Sequence, residues 1–220
     1  MEKKTLASLL EGKIFQIPAY QRGYAWEEKQ LKDFAQDIDA LIDNKKTSHY
    51  TGTIVIYKPT DRPTESYGKR RLQVVDVIDG QQRLTTCSLY LSIISRELIK
   101  RGEINYEQEI LYFIKNGSKS KLRLNNDTSD FYYDLINTGI PNIKAKTVHQ
   151  IRLLEGYNYL QNHIIKQIKQ RQNKVTDYLK DIFYAIIAKL NFSFYQIEIE
   201  SEIGMTFELI NYRGKIQEDF

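Results

Sequence analysis

Three short segments carry residue types whose spacing suits chemistry. The first is Asp79-Gly80-Gln81-Gln82-Arg83, with Thr85 and Thr86 behind it, standing where a β-rich run meets a helical pattern. At such a junction the first N–H groups of the helix have no partner inside it and point toward the strand's C-terminal edge, which makes an anion site. Gly80 allows close approach to the backbone, Arg83 offers a two-pronged clamp for a phosphate, Gln81 or Gln82 could orient a water, and Asp79 could hold a magnesium ion. The same residues also read as plain structure, with Asp79 capping the helix and Arg83 on the surface. The second segment is Ile17-Pro18-Ala19-Tyr20-Gln21-Arg22-Gly23-Tyr24-Ala25-Trp26. In an extended chain Tyr20, Arg22, Tyr24 and Trp26 share one side, so aromatic faces alternate with a guanidinium, a surface that can stack a base and hold a phosphate. The plainer reading makes Tyr20 and Trp26 core anchors and pairs Arg22 with an acidic residue of the next helix. The third, Phe207 to Gly214 (FELINYRG), is a helix end with a left-handed glycine unless it folds back beside the other two.

The elements that must position these segments follow from hydrophobic periodicity. A short helix is expected at Thr5 to Glu11, then an extended stretch from Ile14 to Tyr20, because Pro18 pushes Ile17 away from helical geometry. Leu31, Phe34, Ile38, Leu41 and Ile42 recur at helical steps and predict an amphipathic helix from Glu27 to about Asn44. Two β-rich runs follow, Gly52 to Tyr57 and Leu72 to Ile78, and read as a hairpin with a long mobile loop. That loop contains the basic run Lys69, Arg70, Arg71. After the Asp79-Gly80 turn, Leu84, Cys87, Leu91, Ile94 and Leu98 form one helical stripe, which Gly102 stops. Helices are expected at Tyr106 to Lys115, Thr128 to Asn137, Thr147 to Gln170 and Thr176 to Leu190, the third burying Leu153, Tyr157, Leu160, Ile164 and Ile168. A strand returns at Phe192 to Ile199, followed by a short helix at about Met205 to Ile210. The division read from this is a core over 1–105, a helical subdomain over 106–190 and a returning segment over 191–220.

The chain has 220 residues, 41% of them hydrophobic, and 32 Lys+Arg against 28 Asp+Glu, a net charge of +4. At roughly 150 residues per domain, this is one large domain or two small ones with enough apolar residues for a core, which excludes general disorder. The single Cys87 forms no internal disulfide and no cysteine-based zinc site, and no apolar run reaches the roughly 18 residues of a membrane helix. A cytoplasmic protein without a membrane partner is expected. There is no Gly-x-x-x-x-Gly-Lys-Ser/Thr loop, so an ordinary P-loop NTPase is excluded. His49, His149 and His163 lack metal-ligand spacing. Lys69, Arg70, Arg71 and the lysines between Lys115 and Arg123 can touch nucleic-acid phosphates, although charge runs are usually solvated faces.

Taken together and in this order, IPAYQRGYAW, VIDGQQRLTT and FELINYRG resemble the N-terminal domain called DUF262, found in GmrSD-type modification-dependent restriction enzymes and relatives in phage defence. The resemblance covers nearly the whole chain. It implies an α+β fold: a ParB-like core with a small mixed β-sheet and flanking helices, plus an inserted helical subdomain. It also implies that the DGQQR turn binds and helps hydrolyse a nucleoside triphosphate with Mg2+. Carried over residue by residue, Asp79, Gln81, Gln82 and Arg83 become catalytic, with the metal on Asp79. Tyr20, Gln21, Arg22, Gly80, Thr85, Asn211 and Gly214 become nucleotide-binding, and Lys69, Arg70 and Arg71 remain candidates for DNA contact.

In family members a second domain, often an HNH-type nuclease, cuts DNA. This sequence lacks a His-Asn-His constellation and stops at IQEDF, where a new element begins, so it is read as the sensing and NTP-handling part of a longer protein. Homo-oligomers are compatible with the family. The competing readings are a DNA-binding module without catalysis, a ParB-like nuclease in its own right, and an interaction scaffold.

Overall fold

The computed structural model describes residues 2–171, 174–206 and 208. In chain order the elements are β1 (Glu2–Thr5), α1 (Leu6–Leu10), β2 (Lys13–Gln16), α2 (Glu28–Asp43), β3 (His49–Tyr57), β4 (Glu65–Tyr67), β5 (Arg70–Asp79) and α3 (Gln81–Ile99). They are followed by α4 (Tyr106–Phe113), the short strands β6 (Lys115–Asn116), β7 (Lys119–Ser120) and β8 (Leu122–Arg123), then α5 (Ser129–Thr138), α6 (Val148–Arg171), α7 (Val175–Tyr184) and β9 (Leu190–Ile197). The α+β architecture expected from the sequence is present.

The main sheet is mixed, in the order β1-β9-β3-β5-β2-β8, with β4 paired to β5 outside that path. Strands β5, β2 and β8 run parallel, β3 lies antiparallel to β5, and β9 enters parallel to β3 and antiparallel to β1. The antiparallel β3–β5 pair is the expected hairpin, but its connection is tied down rather than free. Within it β4 pairs β5, and the Arg62 guanidinium donates to both oxygens of Asp76 at 2.6 and 3.0 Å.

Alternation along the strands gives the sheet two unequal faces. Phe15, Ile54, Ile56, Val75, Val77, Phe192 and Phe194 point to the face covered by helices and join one core with α3. The opposite face carries two small clusters, Ile14, Tyr67, Leu72 and Val74 in one and Val55, Ile78 and Ile197 in the other.

Helix α3 is buried along almost its whole length, because α4, α5, α6 and α7 all pack on it. Three of its small polar residues tolerate this by bonding back to the helix: the hydroxyls of Thr85, Thr86 and Ser92 donate to the carbonyls of Gln81, Gln82 and Leu89. Phe131, Tyr132, Leu153, Tyr157, Leu179 and Ile182 from the 106–190 stretch belong to the same core as the sheet residues. The helix expected over Thr176 to Leu190 ends sooner. α7 stops at Tyr184, a wider π-helical turn occupies Ala185–Lys189, and β9 begins at Leu190.

Candidate functional site

Parallel strands release the chain at a common edge, and ligand sites in such sheets gather there. Here β5 leads into Gly80 and α3, β2 leads into the 17–26 loop, and β8 leads into Leu124 and Asn125. The first half of β3 extends past the end of β5, since Val55 is already opposite Asp79. Residues 49–53 therefore flank the first turn of α3.

Gly80 is the N-cap of α3 with φ of +92°, the left-handed region. A Cβ there would stand 2.8 Å from the Thr53 carbonyl oxygen and 2.3 Å from the Ile54 Cδ1, so the turn also requires the missing side chain. The N–H groups of Gln81, Gln82 and Arg83 have no acceptor among the described residues, whereas Leu84 N–H donates to the Gly80 carbonyl. Asp79 does not cap the helix, and its carboxylate forms no hydrogen bond or ion pair among the described residues. Arg83 is also uncommitted. Its one hydrogen bond is a long one to the Thr53 carbonyl, 3.4 Å, and no carboxylate pairs with it among the described residues.

The seat of Arg83 comes from β3. Gly52 has φ of +115°, and a Cβ on it would come within 2.7 Å of the guanidinium. The β3–β9 register shifts between Tyr50 and Gly52, a bulge that bends the strand at this point. Tyr50 stands beside it. Hydrogen bonding to the Ser193 and Thr53 hydroxyls holds its phenol below the ordinary value, and the Arg83 charge acts in the same direction.

The 17–26 loop is not an extended ladder. Gln21 N–H donates to the Pro18 carbonyl and closes a turn, so Tyr20, Arg22, Tyr24 and Trp26 do not share a side. Tyr20 is 69% exposed and Tyr24 only 3%. The Tyr24 hydroxyl meets Thr86 Oγ1 at 2.8 Å, and Trp26 packs on Phe34. Partial burial and the charges of Asp76 and Glu200 raise the Tyr20 phenol.

What fixes the loop is a set of side-chain amides. Gln82, 8% exposed, accepts from Ala25 N–H at 2.8 Å and donates to the Gly23 carbonyl at 3.1 Å. Gln81 donates to the Arg22 carbonyl at 3.0 Å, and Gln21 to the Ile78 carbonyl at 2.9 Å. Asn125 donates to the carbonyls of Pro18 and Gln21, and the His149 ring lies against Gly23 with Nδ1 3.1 Å from the Tyr24 oxygen.

Of the residues singled out in the sequence, Gln21, Arg22, Gly80, Gln81, Gln82, Arg83 and Thr85 gather at this edge with Asp79, while Tyr20 projects from its rim. The Thr85 hydroxyl is committed to the Gln81 carbonyl. Asn211 and Gly214 lie outside the described residues, as does most of the Phe207 to Gly214 segment. Lys69, Arg70 and Arg71 stand at the other end of β5. Gly52, Tyr50 and Asn125 were missed: GTIVIY reads as an unbroken strand, and a lone Asn between Leu124 and Asn126 carries no pattern. Among the described residues no group of three His, Cys, Asp or Glu could hold a metal ion by itself. Cys87 is buried, which pushes its thiol up to about 12, so it supplies no nucleophile.

Residues 6–220 match the model of the family described as GmrSD restriction endonuclease, N-terminal domain. The chain belongs to that family. The match contains all three segments, including the part of the third that lies outside the described residues, and its start coincides with α1. No curated protein matches the chain significantly. GmrSD N-terminal domains are thus components of restriction systems by their family description. Among the described residues no helix is long and apolar enough to cross a membrane.

Proposed function

We propose that this domain binds and hydrolyses a nucleoside triphosphate at the Asp79–Arg83 edge and thereby governs a nuclease domain acting on DNA in a restriction or phage-defence protein. One observation carries the reading. At this edge the amides of Gln21, Gln82 and Asn125 are engaged in holding backbone, while Asp79 and Arg83, the charged groups at the first turn of α3, have no strong partner among the described residues. A fixed frame around an unpaired carboxylate, an unpaired guanidinium and three free helix N–H groups is the arrangement that a magnesium-bound polyphosphate completes.

Asp79 fits the metal in the way magnesium usually binds, through one or two carboxylates with water and substrate phosphates making up the rest. When bound, the ion offsets phosphate charge. The chain's own residues do the remaining work. Arg83, seated on Gly52, grips phosphate oxygens and stabilises charge that builds on them during transfer. The N–H groups of Gln81 and its neighbours hold the same oxygens. Gln81 keeps its carbonyl oxygen available to orient a water, because its hydrogen bond to the Arg22 carbonyl uses only the amide N–H. Gln82 positions the loop. Arg22 and Tyr20 on that loop are exposed at the rim and would contact the distal part of the ligand.

Calorimetric titration of the parent and of Arg83→Ala with ATP, GTP, CTP and UTP in the presence of Mg2+ tests this. The parent should bind at least one of them and release phosphate, and the variant should keep its melting temperature while losing at least tenfold in affinity. Equal binding and turnover in the two proteins would refute the assignment.

A further inference from the structure

A groove of about 510 Å3 opens at the end of the sheet opposite Asp79. Ten-residue β5 separates the two places, about 30 Å at the usual rise per residue. One wall is the turn joining β4 to β5, Tyr67 to Arg70. The other is α4 and the end of β6, with Gln108, Tyr112 and Asn116. Its volume lies within the range of small-ligand sites, roughly 300–1,000 Å3.

The groove is rich in donors. The Arg70 guanidinium lies 4.6 Å from the centroid of the Tyr112 ring and, like the Lys69 ammonium, has no hydrogen bond or ion pair among the described residues. Tyr67 is 3% exposed, and its hydroxyl is buried without a hydrogen-bond partner. Such a group costs stability unless something supplies an acceptor. Burial raises that phenol, Tyr132 adds to the effect, and the nearby Arg70 charge opposes it.

Beneath the floor, Lys121 is 2% exposed and donates to the carbonyls of Leu10 and Lys13, with its ammonium 5.3 and 5.6 Å from the Tyr67 and Tyr112 rings. No carboxylate accompanies it among the described residues. The neighbouring Glu65 is neutralised by Arg123 and Lys119, which leaves Glu109 as the acidic residue lining the groove. Arg71, although adjacent in sequence, turns away and donates to Thr64 Oγ1.

We propose that this groove is a phosphate-ester site in which Lys69 and Arg70 take phosphate oxygens at the rim and the Tyr67 hydroxyl donates from the floor. Donors that come from the rim and the floor suit a tetrahedral group better than a planar carboxylate. Tyr112 holds the Arg70 fork in place by stacking. The ester comes either from a nucleic-acid strand, for which the groove is open enough, or from a small phosphorylated compound. The site stands apart from the proposed triphosphate edge and does not rest on it.

The test uses the 220-residue chain carrying Arg83→Ala, which keeps the other edge silent. One arm titrates a fluorescein-labelled mixed-sequence oligonucleotide at 50 mM salt, and the other follows the amide resonances of Tyr67 to Arg70 during addition of glycerol 3-phosphate. Oligonucleotide binding identifies a strand phosphate, and resonance shifts with glycerol 3-phosphate alone identify a small monoester. In the responding arm Lys69→Gln/Arg70→Gln should weaken binding at least tenfold and, for the oligonucleotide, reduce the salt slope by about two, one for each lost phosphate contact. Tyr67→Phe should weaken binding several-fold while the unliganded protein stays as stable or becomes more so, an outcome a purely structural tyrosine does not give. Silence in both arms overturns the proposal, and so does binding that either variant leaves unchanged.

Discussion

Gln82→Leu separates a residue that positions the site from one that performs its chemistry. Leucine keeps the volume and removes both side-chain bonds to the loop, those with Ala25 N–H at 2.8 Å and the Gly23 carbonyl at 3.1 Å. A net hydrogen bond contributes about 0.5–1.5 kcal/mol, and a buried group left unpaired costs more. Gln82 itself is 8% exposed, while Gly23 and Ala25 are half-buried and partly reached by water. The expected loss is therefore about 1–3 kcal/mol. Urea unfolding should show it as a lower midpoint with an unchanged slope. Hydrogen exchange at the Ala25 amide should quicken by about 10- to 100-fold, since each factor of ten corresponds to about 1.4 kcal/mol of local opening. Nucleotide affinity should fall with the loop's order. The comparator Gln81→Leu, which removes a more accessible bond to the Arg22 carbonyl, should change stability by under about 0.5 kcal/mol. Should Gln82→Leu keep both its urea midpoint and slow Ala25 exchange yet lose hydrolysis, Gln82 acts on the reacting water and the positioning argument fails.

Two further outcomes follow from the same structure. Gly80→Ala meets a left-handed backbone and the Thr53 carbonyl oxygen at 2.8 Å, so it should cost at least about 2 kcal/mol and lower the melting temperature by about 5 °C or more; a melt within 1 °C of the parent would contradict the turn geometry. Lys121 is held down to about 8 by burial, with Arg70 and Lys13 adding to the effect, against 10.5 for a free lysine. The unfolded chain therefore binds more protons between these values, and the contribution of this residue to stability rises with pH across that window by at most about 3 kcal/mol. Lys121→Met should remove that part of the slope and be the more stable protein at pH 7, as urea titrations of both proteins from pH 7 to 10 will show.

Helices α2 and α6 were legible because each buries a regular stripe. Leu31, Phe34, Ile38 and Leu41 of α2 and Leu153, Tyr157, Leu160 and Ile164 of α6 are all buried as their spacing requires. The apolar runs of β3, β5 and β9 were equally plain, to within two or three residues at their ends. Pairing was not. Nothing in KIFQ says that β2 lies parallel to β5, and two-residue β8 has no periodicity to detect, yet these strands deliver the loop and Asn125 to the site.

The turn from Asp79 to Arg83 was legible because a strand, a glycine and a helix start stand in sequence. The hydrogen bonds of Gln82 to the loop were not, since an amide that binds backbone looks the same in sequence as one that binds water. The extended reading of Tyr20 to Trp26 failed for a physical reason: the turn from Pro18 to Gln21 breaks the alternation, and Tyr24 finds a buried partner in Thr86.

The placement of β9 between β1 and β3 also bears on how the chain is made. On the ribosome Tyr57 emerges some 130 residues before Leu190, an interval of roughly 7–25 s at 5–20 residues per second. Throughout it, the edge of β3 that β9 will occupy offers unpaired N–H and C=O groups beside Ile54 and Ile56, a template on which another nascent chain can add. Helices α3 to α7 appear in that interval and can cover one face of β3, but they cannot satisfy its edge. Sheet closure is thus a late step of synthesis, and changes that slow the docking of α4 to α7 prolong the period in which two copies can pair wrongly.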